Sequence, residues 1–244
     1  MLVEVCANSL DSALNAQEAG ADRIELCAEL GVGGITPSHG MIALVKKRLS
    51  IPIHVLIRPR SGHFTYDERE LEVMIADIAF CKSIGVEGIV TGALTAGFEL
   101  DEAKTAKLIA KARPLHVTFH RAFDWVKTPV RTLAQLENVG VRSVLTSGQC
   151  QTAEQGLMNL RQWQMATKMT IMVGGGVHPE NVLKFKEAGL RAVHLSGTTF
   201  HTEIDFKNSI SMLSEKHLKT SGVAVTNENV IRQTVQAIRL PLKR

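Results

Sequence analysis

The chain has 244 residues, 45% hydrophobic and 21% charged, with a mean hydropathy of +0.06, the balance of a folded protein and not of a disordered or membrane-embedded one. Its 28 Lys+Arg and 24 Asp+Glu give a net charge of +4 with no basic block, and aromatic residues make up 5% with a single tyrosine. A polyanion-binding face and a base-stacking groove are both excluded, so nucleic acid is not an expected partner. Glu4 interrupts the apolar start of the chain, and no later apolar run reaches the roughly 18 residues of a membrane span. The expectation is a cytoplasmic protein with no membrane partner, whose Cys6, Cys27, Cys81 and Cys150 are free thiols in a reducing compartment.

Leu2–Cys6 reads as a strand, Ser9–Ala19 as an amphipathic helix and Arg23–Cys27 as the next strand. Gly33–Ser38 follows as a loop entering a helix, with Thr36 as N-cap and Pro37 in the first helical position. Further strands are predicted at Ile53–Ile57, Gly88–Thr91, Leu115–His120, Ser143–Thr146, Thr170–Val173 and Ala192–Ser196. Helices are predicted at Asp67–Ile84, Asp101–Ala112, Thr128–Val139, Thr152–Ala166, Pro179–Ala188 and, last, Asn227–Ile238. Gly20, Gly85, Gly140 and Gly189 each precede an even-numbered strand, where a left-handed glycine closes the preceding helix. About eight βα units, with no Gly-x-Gly-x-x-Gly after the first strand, predict a (β/α)8 TIM barrel over an open doubly wound sheet. Phe200–Ala224 fits no unit and reads as an extended C-terminal insertion before the last helix. With no linker composition anywhere, residues 1–244 are read as a single domain.

In such a barrel, chemistry gathers at strand C-termini, and period-two alternation decides which side chains face inward. It turns Glu4 and Cys6 inward on the first strand, Glu25 and Cys27 on the second, Leu56 and Arg58 on the third with Arg60 next in register, His116, Thr118 and His120 on the fifth, and His194 and Ser196 on the eighth. Two Glu-x-Cys strings on adjacent strands bring two thiols within reach of one ion and two carboxylates close together, with Arg58 beside them to keep them charged. The Glu4, Glu25 and Arg58 group reads either as a salt-bridge layer or as a general acid or base with an electrophilic clamp. Cys6 and Cys27 read either as small core hydrophobes or as a two-thiolate site for a soft ion such as Cu(I), since zinc would want four ligands and no CxxC or HxxxH spacing supplies them. His120-Arg121-Ala122-Phe123-Asp124 joins an imidazole, a cation and a carboxylate, either a working constellation or a loop tied by Arg121 and Asp124 around a packed histidine. Arg58 and Arg60 suit carboxylate or phosphate oxygens, or ordinary surface pairing. Gly174-Gly175-Gly176 and Ser196-Gly197-Thr198 end the last two strands, where many barrels hold phosphate, although tight turns alone would also call for glycine.

Glu25-Leu26-Cys27, Gly33-Gly34-Ile35-Thr36-Pro37-Ser38, Ile57-Arg58-Pro59-Arg60, Val117 through Asp124, Val144-Leu145-Thr146-Ser147-Gly148 and the tail Phe206 through Met212 together resemble the CutC family of copper homeostasis proteins. The resemblance runs over nearly the whole chain. It departs at Arg60-Ser61-Gly62, where the family usually has Arg-Gly-Gly, and in the uninterrupted glycine run from Gly174. It implies a cytosolic TIM-barrel homodimer with Cys6 and Cys27 at the positions of a cysteine pair proposed to bind copper. The competing reading is a barrel enzyme of lyase, isomerase or hydrolase type acting on a small anionic metabolite, phosphorylated ones included. There Glu4, Glu25, His120 and Asp124 would do the chemistry, and Arg58, Arg60, Arg121, Ser147, Gly174, Gly175, Ser196 and Gly197 would hold the substrate.

Overall fold

The structure, a computed structural model, describes residues 1–201, 210 and 223–239. Eight parallel strands close into a barrel in chain order: β1 (Leu2–Ala7), β2 (Arg23–Leu26), β3 (Ile53–Leu56), β4 (Gly88–Thr91), β5 (His116–Phe119), β6 (Ser143–Thr146), β7 (Thr170–Gly174) and β8 (Ala192–Leu195). The outer helices are α1 (Leu10–Glu18), α2 (His39–Arg48), α3 (Glu68–Ser83), α4 (Glu102–Ala112), α5 (Pro129–Val139), α6 (Leu157–Ala166), α7 (Val182–Glu187) and α8 (Glu228–Arg239). The (β/α)8 TIM barrel expected from the unit count is the fold observed.

Strand parity sorts the apolar residues into separate cores. Val3, Val5, Ile24, Leu26, Ile53 and Val55 belong to the large core between the strands and the helices. Inside the barrel, Cys6, Cys27, Leu56 and Val90 form one small cluster, and Leu145, Met172 and Ala192 form another with Leu2 packed against it. The rest of the interior is polar. Room for its rings comes from β4 and the residue just past it: a Cβ on Gly88 would stand 2.6 Å from the His54 ring, and one on Gly92 would stand 2.8 Å from that of His120. The four glycines expected to close helices all adopt positive φ, at +85° for Gly20, +74° for Gly85, +99° for Gly140 and +81° for Gly189.

Three local expectations are corrected. Helix α2 is capped by Ser38, whose Oγ accepts from the Met41 N–H at 3.2 Å, whereas Thr36 Oγ1 accepts from the Arg58 N–H at 2.8 Å and ties the loop to the end of β3. Helix α6 starts at Leu157 and not near Thr152, because a Cβ on Gly156 would lie 2.0 Å from the Ser147 carbonyl and the chain must first turn there. The ends of the insertion, to which the sequence reading assigns no element, are strands: β9 (Thr198–His201) and β10 (Val223–Thr226) pair antiparallel, and Thr226 is tied to α1 through Ser12 and Asn15. Most of the insertion, with the family-like string Phe206 through Met212, lies outside the described residues except Ile210. No helix among the described residues is long and apolar enough to cross a membrane.

Candidate functional site

The inward residues build a buried polar stack. Register pairs Glu4 with Arg23 and Cys6 with Glu25 across β1 and β2, and Glu25 with His54 across β2 and β3. The two Glu-x-Cys strings are therefore staggered by two residues rather than aligned, as the tilt of barrel strands requires. Glu4 is fully buried; its Oε2 accepts from Arg23 Nε at 2.5 Å and its Oε1 lies 2.8 Å from His194 Nδ1. Burial alone would push this carboxyl up, but the His194 hydrogen bond and the Arg23 charge outweigh it and hold Glu4 well below the usual carboxylate range. Arg23, not Arg58, is the cation that compensates the buried carboxylates. It occupies the inward position two residues before Glu25, so the alternation pointed to it.

Glu25 sits higher, 4% exposed. Its Oε2 is 3.4 Å from His194 Nδ1 yet receives no hydrogen bond. Burial raises its pKa to about 7, against the pull of the His194 charge. Burial opposes a charge on His194 as well, but the carboxylates of Glu25 and Glu4 raise its pKa overall. Beneath, His54 stacks obliquely on His116 with ring centroids 4.9 Å apart. Burial lowers their pKa values to about 3 and about 4. His54, like Arg23, was not among the expected site residues, although it lies on the inward register of β3.

Above this stack, Cys6 Sγ and Cys27 Sγ lie 3.4 Å apart. The thiol contact and then burial push the Cys6 thiol well above its ordinary value. Ligating atoms of Cys6, Glu25 and His194 all lie within 4.8 Å of one another. The group opens into a cavity of about 320 Å³ at the C-terminal end of the strands, bordered also by Arg58, His120, Arg121, Gly175, Ser196 and Gly197.

Of the remaining expected residues, His120 is 5% exposed and its Nδ1 accepts from the Ala122 N–H at 3.2 Å. Nε2 therefore carries the proton of the neutral ring and has no partner. Burial lowers its pKa to about 3. Arg58 reaches the mouth as a clasp: Nη1 donates to the carbonyls of Val32 at 3.0 Å and Gly34 at 2.7 Å, and Nη2 to that of Gly62 at 2.8 Å. Arg60 turns away, because β3 ends at Leu56 and the chain has left the strand before it; it pairs with Glu70 and does not border the cavity. Asp124 and Ser147 also stand back from the cavity. Asp124 Oδ2 takes Arg121 Nε at 2.8 Å, its Oδ1 takes the Thr146 hydroxyl, and Ser147 Oγ donates to the Cys150 carbonyl at 2.6 Å. Both act as ties between the loops after β5 and β6. Gly174 lies one step below the cavity, where a Cβ would meet Leu145 at 2.6 Å.

The CutC family profile matches residues 1–199. This chain belongs to the CutC family. A CutC family protein of Edwardsiella ictaluri is 47% identical over 197 residues, covering 80% of this chain and 78% of that protein. The human copper homeostasis protein cutC homolog is 41% identical over 242 residues, covering 97% of this chain and 88% of that one. A crystal structure bearing the name copper homeostasis protein CutC, from Streptococcus agalactiae, superposes with a TM-score of 0.77 at 30% identity, covering 80% of this chain and 98% of that one. The CutC match contains every candidate residue named above.

Proposed function

We propose that this CutC protein is a cytosolic, homodimeric copper homeostasis protein that takes Cu(I) as its cargo between Cys6 and Cys27. The observation that carries this reading is the 3.4 Å approach of two sulfurs at the floor of a cavity open to solvent. Thiolates are soft ligands that favour Cu(I). The two sulfurs would move apart to admit an ion, with Glu25 and His194 close by on the Cys6 side. A Cys6 thiol whose pKa is raised must shed its proton on loading, so capture releases protons and strengthens as pH rises. The names of the human and streptococcal relatives agree with copper handling, and buried free thiols suit a reducing compartment.

Anaerobic titration of the reduced protein with Cu(I) against a competing chelator tests this. One tightly held ion per chain, lost in the folded Cys6→Ser/Cys27→Ser variant, is the expected result. Weak binding, or tight binding that survives the double substitution, overturns it.

A further inference from the structure

A soft-ion carrier needs no donor-lined anion pocket, yet the upper half of the cavity is built as one. His120 is 5% exposed, its Nε2–H meets no acceptor among the described residues, and its ring borders the cavity. Arg121 spends Nε on Asp124 and Nη2 on Ser147, at 2.8 Å and 2.9 Å. Its Nη1 lies only 3.5 Å from where a Cβ of Gly175 would stand. Gly175 and Gly176 follow β7 with φ of +107° and +75°, and Gly197 follows β8 with φ of +55°. Their backbone N–H groups meet no acceptor among the described residues, and all three border the cavity. At Gly197 a Cβ would lie 2.7 Å from Ile231 Cδ1, so a side chain there would have to push that methyl aside. Unpartnered N–H groups of adjacent loop residues can converge on an anion, and the ends of β7 and β8 are where a barrel can present them to a phosphate.

The geometry points to a binding site for a small phosphate-bearing metabolite at this mouth, its phosphate held by the loops after β7 and β8 with Arg121 and the His120 N–H. A cavity of about 320 Å³ exceeds a bare phosphate and lies at the small end of metabolite pockets. The ligand therefore carries a short organic body, which extends down toward Leu56 and the thiol pair. The site does not rest on the copper reading, because none of its donors is a cysteine.

The test uses the full chain without copper at constant ionic strength, titrated with inorganic phosphate, glycerol 3-phosphate and malonate by calorimetry and amide NMR. Expected are saturable binding of glycerol 3-phosphate, tighter than that of inorganic phosphate, and shifts at the amides of Gly175, Gly176 and Gly197. Affinity should drop at least tenfold in Arg121→Gln and in His120→Phe, which keeps the ring packing but loses the donor, and should persist in Cys6→Ser/Cys27→Ser. Should His120→Phe not fold, Arg121→Gln alone decides. Absence of those amide shifts, malonate binding as tightly as glycerol 3-phosphate, or unchanged affinity in Arg121→Gln overturns the proposal.

Discussion

Cys6 and Cys27 bring their sulfurs to 3.4 Å although they are not cross-strand partners: Cys6 stands opposite Glu25, and Leu26 opposite Ala7. The pair closes along the slant of the barrel, so Cys6 lies near the Glu25 carboxylate while both cysteines cluster with Leu56 and Val90. This slant puts a soft pair directly above a hard, charged stack.

Thiol reactivity should follow this burial. Cys150 is part-exposed, whereas Cys6, Cys27 and Cys81 are buried, and burial lifts the Cys81 thiol to about 12. A disulfide reagent at neutral pH is expected to label Cys150 first in the native protein, Cys6 and Cys27 more slowly through the cavity they line, and Cys81 only at the rate of opening or unfolding. Equal rates for Cys150 and Cys81 would contradict the described packing.

Arg23→Met is expected to be among the most damaging single changes. It leaves the fully buried Glu4 carboxylate with the His194 imidazole as its remaining hydrogen-bond partner, and breaking a buried pair from one side costs about 3–5 kcal/mol. The double variant Arg23→Met/Glu4→Gln should recover part of that loss in denaturant unfolding. A double variant no more stable than the single one would show that charge compensation is not Arg23's role.

Stability should fall on mild acidification. The unfolded chain protonates its histidines near their ordinary value, while burial holds His54 at about 3, His116 at about 4 and His120 at about 3 in the fold. Between those values the unfolded state binds more protons, so stability is present above the ordinary histidine pKa and is lost as pH falls toward the folded values. Glu25, raised to about 7, and His194, also raised, act in the opposite sense, fewer in number. His116 faces the His54 ring, the Ser143 hydroxyl and the charges of Arg23, Arg142 and Glu4. Its replacement by glutamine should make the loss between about pH 7.5 and about pH 5 shallower. Unfolding free energies at the two pH values check this, and an unchanged slope would count against a neutral, half-buried His116.

Arg58→Lys should loosen the rim and spare the barrel. One guanidinium holds the carbonyls of Val32, Gly34 and Gly62, and an ammonium lacks the planar fork to span both loops. The expected loss is about 2 kcal/mol, with hydrogen exchange rising in residues 29–36 and 60–66 and not in β1 or β2. Uniform acceleration across the strands would mean that Arg58 supports the whole fold.

The fold was legible because every barrel strand repeats one physical problem, an apolar face toward the helices and a different face inward, and period two exposes both. The same alternation located Glu4, Cys6, Glu25, Cys27, Arg58 and His120. It failed at Arg60, which lies well past the end of β3 at Leu56, where the parity rule no longer holds. Arg23 and His54 share that inward register, yet a lone cation and a lone histidine announce nothing until their partners are known.

By itself the sequence determined the eightfold βα order, the inward-facing set and membership of the CutC family, properties carried by local periodicity and by strings of adjacent residues. Only the tertiary structure decided that Arg23 rather than Arg58 neutralises Glu4, that the two sulfurs meet across a stagger, that Asp124 and Ser147 tie loops instead of facing the cavity, and that His120 keeps a free N–H at the mouth. Those facts depend on strand tilt, register and loop paths, which set contacts between residues far apart in the chain and leave no trace in local spacing.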